Sequence, residues 1–168
     1  MQDVIWQQIP DFPSYAVNNH GQVLNIDTDR LMRISYTLQG NAKVSLVGLE
    51  GRRTLSVAFL VAKAFVAPPN PLSTSVVVLN GNQADLRAVN LVWRPISFAW
   101  KYTRQMKEGQ PIHFFSLQVH DVTNDVVYTN IIQAGQLLGL LYQDIWRSTY
   151  TGQTTYPGNS VFRVITYF

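Results

Sequence analysis

The 168 residues, 46% hydrophobic and 12% aromatic, are enough to bury a core in one domain or in two small ones, and this composition excludes wholesale disorder. No apolar run approaches the roughly 18 residues of a membrane helix, and the opening MQDVIWQQ lacks the basic and apolar regions of a secretory signal, so a soluble, cytoplasmic protein without membrane partners is expected. With no cysteine and only His20, His113 and His120, a zinc-stapled fold and thiol catalysis are excluded.

The net charge of +3 is segregated along the chain. Residues 1–29 carry −4, residues 30–107 carry +9 and residues 108–168 carry −2. A basic middle between acidic ends is the sequence form of a phosphate-facing surface, although 13 Lys and Arg in the whole chain are few for a nucleic-acid binder.

In chain order, Trp6, Ile9, Phe12, Tyr15, Val17 and Val23 anchor short strands that turn tightly at His20-Gly21. KVSLVGLEGRRTLSV alternates about Glu50-Gly51, giving a hairpin of strands near 43–48 and 53–57 with Arg52 and Arg53 at its tip. VAFLVAKAFV, 57–66, reads as a short buried helix stopped by Pro68-Pro69. A second hairpin follows: SVVV enters a turn at Asn80-Gly81, and NLVW returns after about nine residues. From Arg94 to Lys107 basic and aromatic residues interleave in what reads as an extended segment, closed by Gly109 to Pro111.

The last third reads as a hairpin about Thr123-Asn124-Asp125, then a helix from Asn130, with Gln133 as capping-box partner, to Gly139. A second short helix over LYQDIWRSTY and a closing strand over SVFRVITYF complete the chain. Two short helices joined at a glycine suggest a helix-turn-helix whose second helix presents Tyr142, Gln143, Arg147, Ser148 and Tyr150. A plain αα-hairpin packed on a small sheet fits the same pattern.

Three signals in order carry a resemblance. The pattern Trp6-x-x-Ile9, Phe12-x-x-Tyr15-x-Val17-x-Asn19-x-Gly21-x-Val23, then LVAKAFVAPPNP with VVVLNGNQADLRAVNLVW, then the hairpin with NIIQAGQLLGL, resembles the modules of phage HNH homing endonucleases. The resemblance implies an α+β fold: short antiparallel strands, a degenerate ββα HNH-like core, and a small sheet with a helix-turn-helix. It divides the chain into residues 1–107 (N-terminal module, core and basic extension), a linker over 108–114, and a C-terminal module over 115–168.

The resemblance also fixes where the chemistry of active relatives would sit. An acid or asparagine and the catalytic histidine correspond to Val77 and Val78, the motif asparagine to Asn90, and a further metal ligand on the next helix to Ala99. Valine neither takes a proton nor binds a metal, so no catalytic residue, metal or cofactor is expected, and the chain is read as a non-enzyme. The expected function is binding of double-stranded DNA, from a phage or mobile element. Lys43, Arg52, Arg53, Arg94, Lys101, Arg104 and Lys107 would track phosphates, and Gln143, Arg147 and Tyr150 would read bases. One alternative is a protein-binding module whose former cleft has become apolar through Val76, Val77, Val78, Phe98, Ala99 and Trp100, although the same valines also fit a plain core; a divergent nicking endonuclease that uses another site is a third reading, ranked below both.

Overall fold

A computed structural model describes residues 3–165, so the final residues of the expected closing strand lie outside it. The fold is α+β, with several small antiparallel sheets and five helices, in two compact units, 1–95 and 96–168. Among the described residues no helix is long and apolar enough to cross a membrane.

The first unit opens with a four-stranded sheet of β1 (Trp6–Ile9), β2 (Phe12–Asn18), β3 (Val23–Asn25) and β4 (Arg30–Leu31), paired in chain order. A second sheet joins β5 (Ser35–Tyr36), β6 (Ala42–Gly48) and β7 (Gly51–Ser56). Strict alternation in β6 sends Ala42, Val44 and Leu46 into the core and leaves Lys43, Ser45 and Val47 on the other face.

Ser56 then caps α1 (Val57–Phe65), its Oγ accepting from the Phe59 N–H at 3.4 Å. The helix buries Val57, Leu60, Val61 and Ala62, and Pro68 follows its end. Trp93 packs edge-on against Phe59, with ring centroids 5.4 Å apart, and donates its indole N–H to the Val66 carbonyl at 2.7 Å. The helix is thereby tied to the hairpin of β8 (Ser75–Val78) and β9 (Leu91–Arg94). Both sheets, α1 and this hairpin share one core that includes Val17, Val23, Val44, Leu46, Val61, Val78 and Trp93. Burying each such aliphatic side chain contributes about 1.5–3 kcal/mol.

The second unit begins with α2 (Ile96–Gln105), the helix on which the resemblance places Ala99, and it corrects the extended reading drawn from the interleaved basic and aromatic residues. Phe98, Ala99 and Tyr102 recur at helical spacing and are buried, and neither Gly nor Pro interrupts residues 96–105. A single helical turn, α3 (His113–Ser116), precedes a three-stranded sheet in which β10 (Val119–Asp121) lies between β11 (Val126–Tyr128) and β12 (Phe162–Val164).

Between β11 and β12 run α4 (Ile131–Leu138) and α5 (Tyr142–Thr151). Asn130 caps α4 by accepting from the Gln133 N–H at 2.8 Å, while the Gln133 side chain reaches back to the Thr129 N–H at 2.7 Å. Gly139 ends α4 in the left-handed conformation, with φ of 63°. Tyr142 and Ser148, expected on the presented face of the second helix, are buried instead. The Tyr142 ring joins Ile145, Ile131 and Phe162 in the second core, and the Ser148 Oγ bonds the Gln153 carbonyl and the Phe162 N–H.

Candidate nucleic-acid interface

The loop between β8 and β9 is closed by its own side chains. Asn90 Nδ2 donates to Asn80 Oδ1 at 3.0 Å and to the Asp85 carbonyl at 2.8 Å, and Asn90 Oδ1 accepts from the Asn80 N–H at 3.1 Å. Asn80 Oδ1 and Asn82 Oδ1 each accept from a backbone N–H two residues on, forming successive Asx turns. Asp85 receives both ends of the Arg87 guanidinium, at 2.7 and 2.6 Å, and the Asn80 amide at 2.9 Å. The Arg87 hydrogen bonds hold its carboxyl below the usual carboxylate range. Asn80, Asp85, Arg87 and Asn90 are thus engaged in bracing the turn.

Val77 and Val78, at the strand end where the resemblance places an acid and a histidine, are 2% and 6% exposed. Val78 belongs to the first unit's core, and the side chains of Val76 and Val78 line a cavity of about 280 Å³ with Phe59, Ser75 and Leu86. Ala99 is buried on α2. These three positions offer no donor atom and do not fit a divalent cation, and among the described residues no group of three or more His, Cys, Asp or Glu gathers to hold one. Any hydrolysis by this chain runs through other side chains. Of the residues expected to form an apolar cleft, Val77, Val78, Phe98 and Ala99 are buried, Val76 is half-buried and Trp100 is exposed.

The basic residues separate into groups. Lys43 on β6 and Arg52 on β7 share the outward face of the second sheet, since Lys43 pairs with Ser56 and Arg52 with Val47. Neither has an ion-pair partner among the described residues. Between them Ser45 Oγ and Thr54 Oγ1 form a cross-strand hydrogen bond of 2.9 Å. Sequence reading had not singled out this hydroxyl pair, although the alternation of AKVSLVG puts Ser45 on the face of Lys43.

Arg53, opposite Leu46, projects to the other side of the sheet, where it pairs with Glu50 at 2.9 Å. There it adds to the field of Lys63, whose bond to Asp11 at 2.8 Å is the main cause holding that carboxyl below its usual range. The expected pair at the hairpin tip is therefore split between two faces. Arg94 is buried and donates to the Trp93 carbonyl at 2.9 Å.

In the second unit Lys101, Arg104 and Lys107 are exposed, Arg104 paired with Glu108 at 2.6 Å. On α5, Gln143, Arg147 and Tyr150 lie at i, i+4 and i+7 and are all exposed, which places them on one helix face. Arg147 lies 3.6 Å from Asp144.

In sequence and in fold the chain is similar to proteins named HNH endonucleases. The chain is similar to a solved structure of the HNH homing endonuclease I-HmuI, with a TM-score of 0.55 over 98% of this chain and 99% of that one at 19% identity. It is also 28% identical over 116 residues, 69% of this chain, to a protein of Acanthamoeba polyphaga mimivirus named an uncharacterized HNH endonuclease. The chain spans 27% of that relative's length. No family model matches.

These similarities correct one expectation. The valines at 77 and 78 suggested that the chain is not an enzyme, but both similar proteins are named endonucleases, and replaced positions do not by themselves show that activity is lost.

Proposed function

We propose that the chain binds double-stranded DNA by laying the β6–β7 ribbon into the major groove, with α5 of a helix-turn-helix formed by α4 and α5 as a second contact. The observation that carries this reading is the outward face of the ribbon. Lys43 and Arg52 stand about 13 Å apart along the strands at about 3.3 Å per residue. That separation is close to the roughly 12 Å width of the major groove, which admits a two-stranded ribbon; β5 pairs only with Ala42 and Lys43, so the sheet is two-stranded from Val44 to its turn. The two cations meet phosphates on either rim, and the Ser45–Thr54 hydroxyl pair faces base edges between them. Along α5, Gln143, Arg147 and Tyr150 make the corresponding stripe.

The solved structure of I-HmuI is described as one of DNA binding and cleavage by that enzyme, which supports a DNA partner for a chain of this fold. Cleavage belongs to the named relatives; here it has to draw on side chains outside positions 77, 78 and 99.

The test is the affinity for mixed-sequence duplexes from about 50 to 200 mM salt, with Mg²⁺ included in parallel reactions to read cleavage. Lys43→Ala and Arg52→Ala are each expected to weaken binding and to flatten the salt slope by about 0.9 unit. Arg53→Ala, on the opposite face, is expected to leave the slope in place. Equal effects of Arg52→Ala and Arg53→Ala would overturn the ribbon geometry.

A further inference from the structure

Helix α2 carries an outward stripe that the ribbon contact does not use. Ile96 is 74% exposed and Trp100, one turn later, 64%. Lys101, Arg104 and Lys107 follow on exposed positions, and residues 96–107 contain no acid. The Arg104 guanidinium lies 5.6 Å from the Trp100 ring centroid. The opposite side of the helix is anchored: Phe98 and Tyr102 are buried and stacked at 6.3 Å, and the Tyr102 hydroxyl donates to the Gly135 carbonyl at 3.3 Å. The indole is therefore held outward by the packing of its own helix.

We propose that Trp100, with Ile96 beside it, is a wedge that enters between base steps from the minor groove of duplex DNA and kinks it, while Lys101, Arg104 and Lys107 hold the flanking phosphates. The proposal rests on the DNA-binding reading. Apolar side chains inserted this way unstack one step and open the duplex toward the major groove, and the flat face of an indole stacks on any base. Charge complementarity selects DNA over a protein partner: Glu108, just past the stripe, pairs with Arg104, but Lys101 and Lys107 have no ion-pair partner among the described residues, and the core of a protein interface is depleted in lysine. An open groove of about 520 Å³ lies along one side of the indole; its lining includes Trp100, Lys101, Arg104 and Gln143, with Glu108, the partner of Arg104, as its one carboxylate.

The experiment uses the full chain and mixed-sequence duplexes of roughly 30 base pairs. Binding is read by gel shift, bending by energy transfer between end labels at saturating protein, and unstacking by 2-aminopurine fluorescence. The wild type is expected to shift the duplexes, bend them by about 20–90° and brighten 2-aminopurine. Trp100→Ala is expected to lose the bend and the brightening at saturation, Trp100→Phe to keep both. Lys101→Ala with Lys107→Ala is expected to lower affinity while the saturated complex stays bent. Shifted but straight duplexes, or a Trp100→Ala complex as bent as the wild type, would overturn the wedge alone. A chain that shifts no duplex would overturn the DNA-binding reading, and the wedge with it.

Discussion

Asn80 and Asn90 hold each other across the β8–β9 loop, each supplying a donor and an acceptor to the other residue, at 3.0 and 3.1 Å. Asn90 spends its remaining amide proton on the Asp85 carbonyl, so one side chain closes both ends of the loop. Replacing it by alanine leaves the Asn80 N–H and the Asp85 carbonyl without those partners. Asn90→Ala is expected to cost about 2–3 kcal/mol, the sum of three modest bonds and some unmet desolvation. Urea denaturation checks it, and a loss below about 0.5 kcal/mol would show that the loop is held elsewhere.

Asp85 gives the same loop a pH dependence. Its pKa is lowered in the folded chain, chiefly by the Arg87 hydrogen bonds. The folded state therefore binds fewer protons than the unfolded one near that pKa. The stabilisation is present above the unfolded value of about 3.9 and is lost as pH falls through the lower folded value. Asp85→Asn is expected to destabilise by about 1–2 kcal/mol at neutral pH. The gap to the wild type should close below about pH 4. Denaturation midpoints at several pH values read the crossing, and a gap independent of pH would assign the loss to packing.

Val77 and Val78 point to opposite sides of β8, yet both are buried. Neither is a passive relic facing solvent. Val77→Ser and Val78→Ser are each expected to lower stability by about 1–3 kcal/mol, because each places a hydroxyl in an apolar surrounding and removes a methyl group. DNA affinity measured well below the melting temperature is expected to stay within a factor of two or so of the wild type. A variant that melts normally but binds poorly would return the strand to the contact surface.

Much of the fold was legible because local chemistry and tertiary packing agree. Asn130 with Gln133 starts α4 and Gly139 ends it, Pro68-Pro69 follows α1, and Asn80-Gly81 turns the hairpin. Helix α2 was legible from the resemblance but not from the residues themselves: Phe98, Trp100 and Tyr102 alternate like a strand, and only packing reveals that 98, 99 and 102 form the buried side while 100 stays out. The facing of Arg52 and Arg53 was hidden for a different reason. It depends on strand register, and a one-residue shift in the turn at Leu49-Glu50 would exchange them. The valines at 77 and 78 were read as lost chemistry, whereas what the fold adds is their burial.

The turn that carries His20 is fitted to the hairpin loop through Gly21 and Leu86. Gly21 has φ of 88°, and a Cβ built there would lie 2.5 Å from the Leu86 Cβ. Beside this contact the Ala88 N–H donates to the Asn19 carbonyl at 2.9 Å, so the two segments have little room to part. Gly21→Ala therefore meets two penalties: a left-handed backbone, costing about 1–2 kcal/mol, and an overpacked contact, costing about 1–3 kcal/mol. Leu86→Ala does not separate them, because it keeps the offending Cβ. Leu86→Gly removes it and is the informative partner in a double-mutant cycle. The double variant is expected to be more stable than the sum of the two singles by about 1–3 kcal/mol, the contact penalty alone, with the backbone penalty remaining. Strict additivity in urea denaturation would mean that the turn moves away from Leu86 at no cost, and that the close fit does not hold the N-terminal sheet against the hairpin.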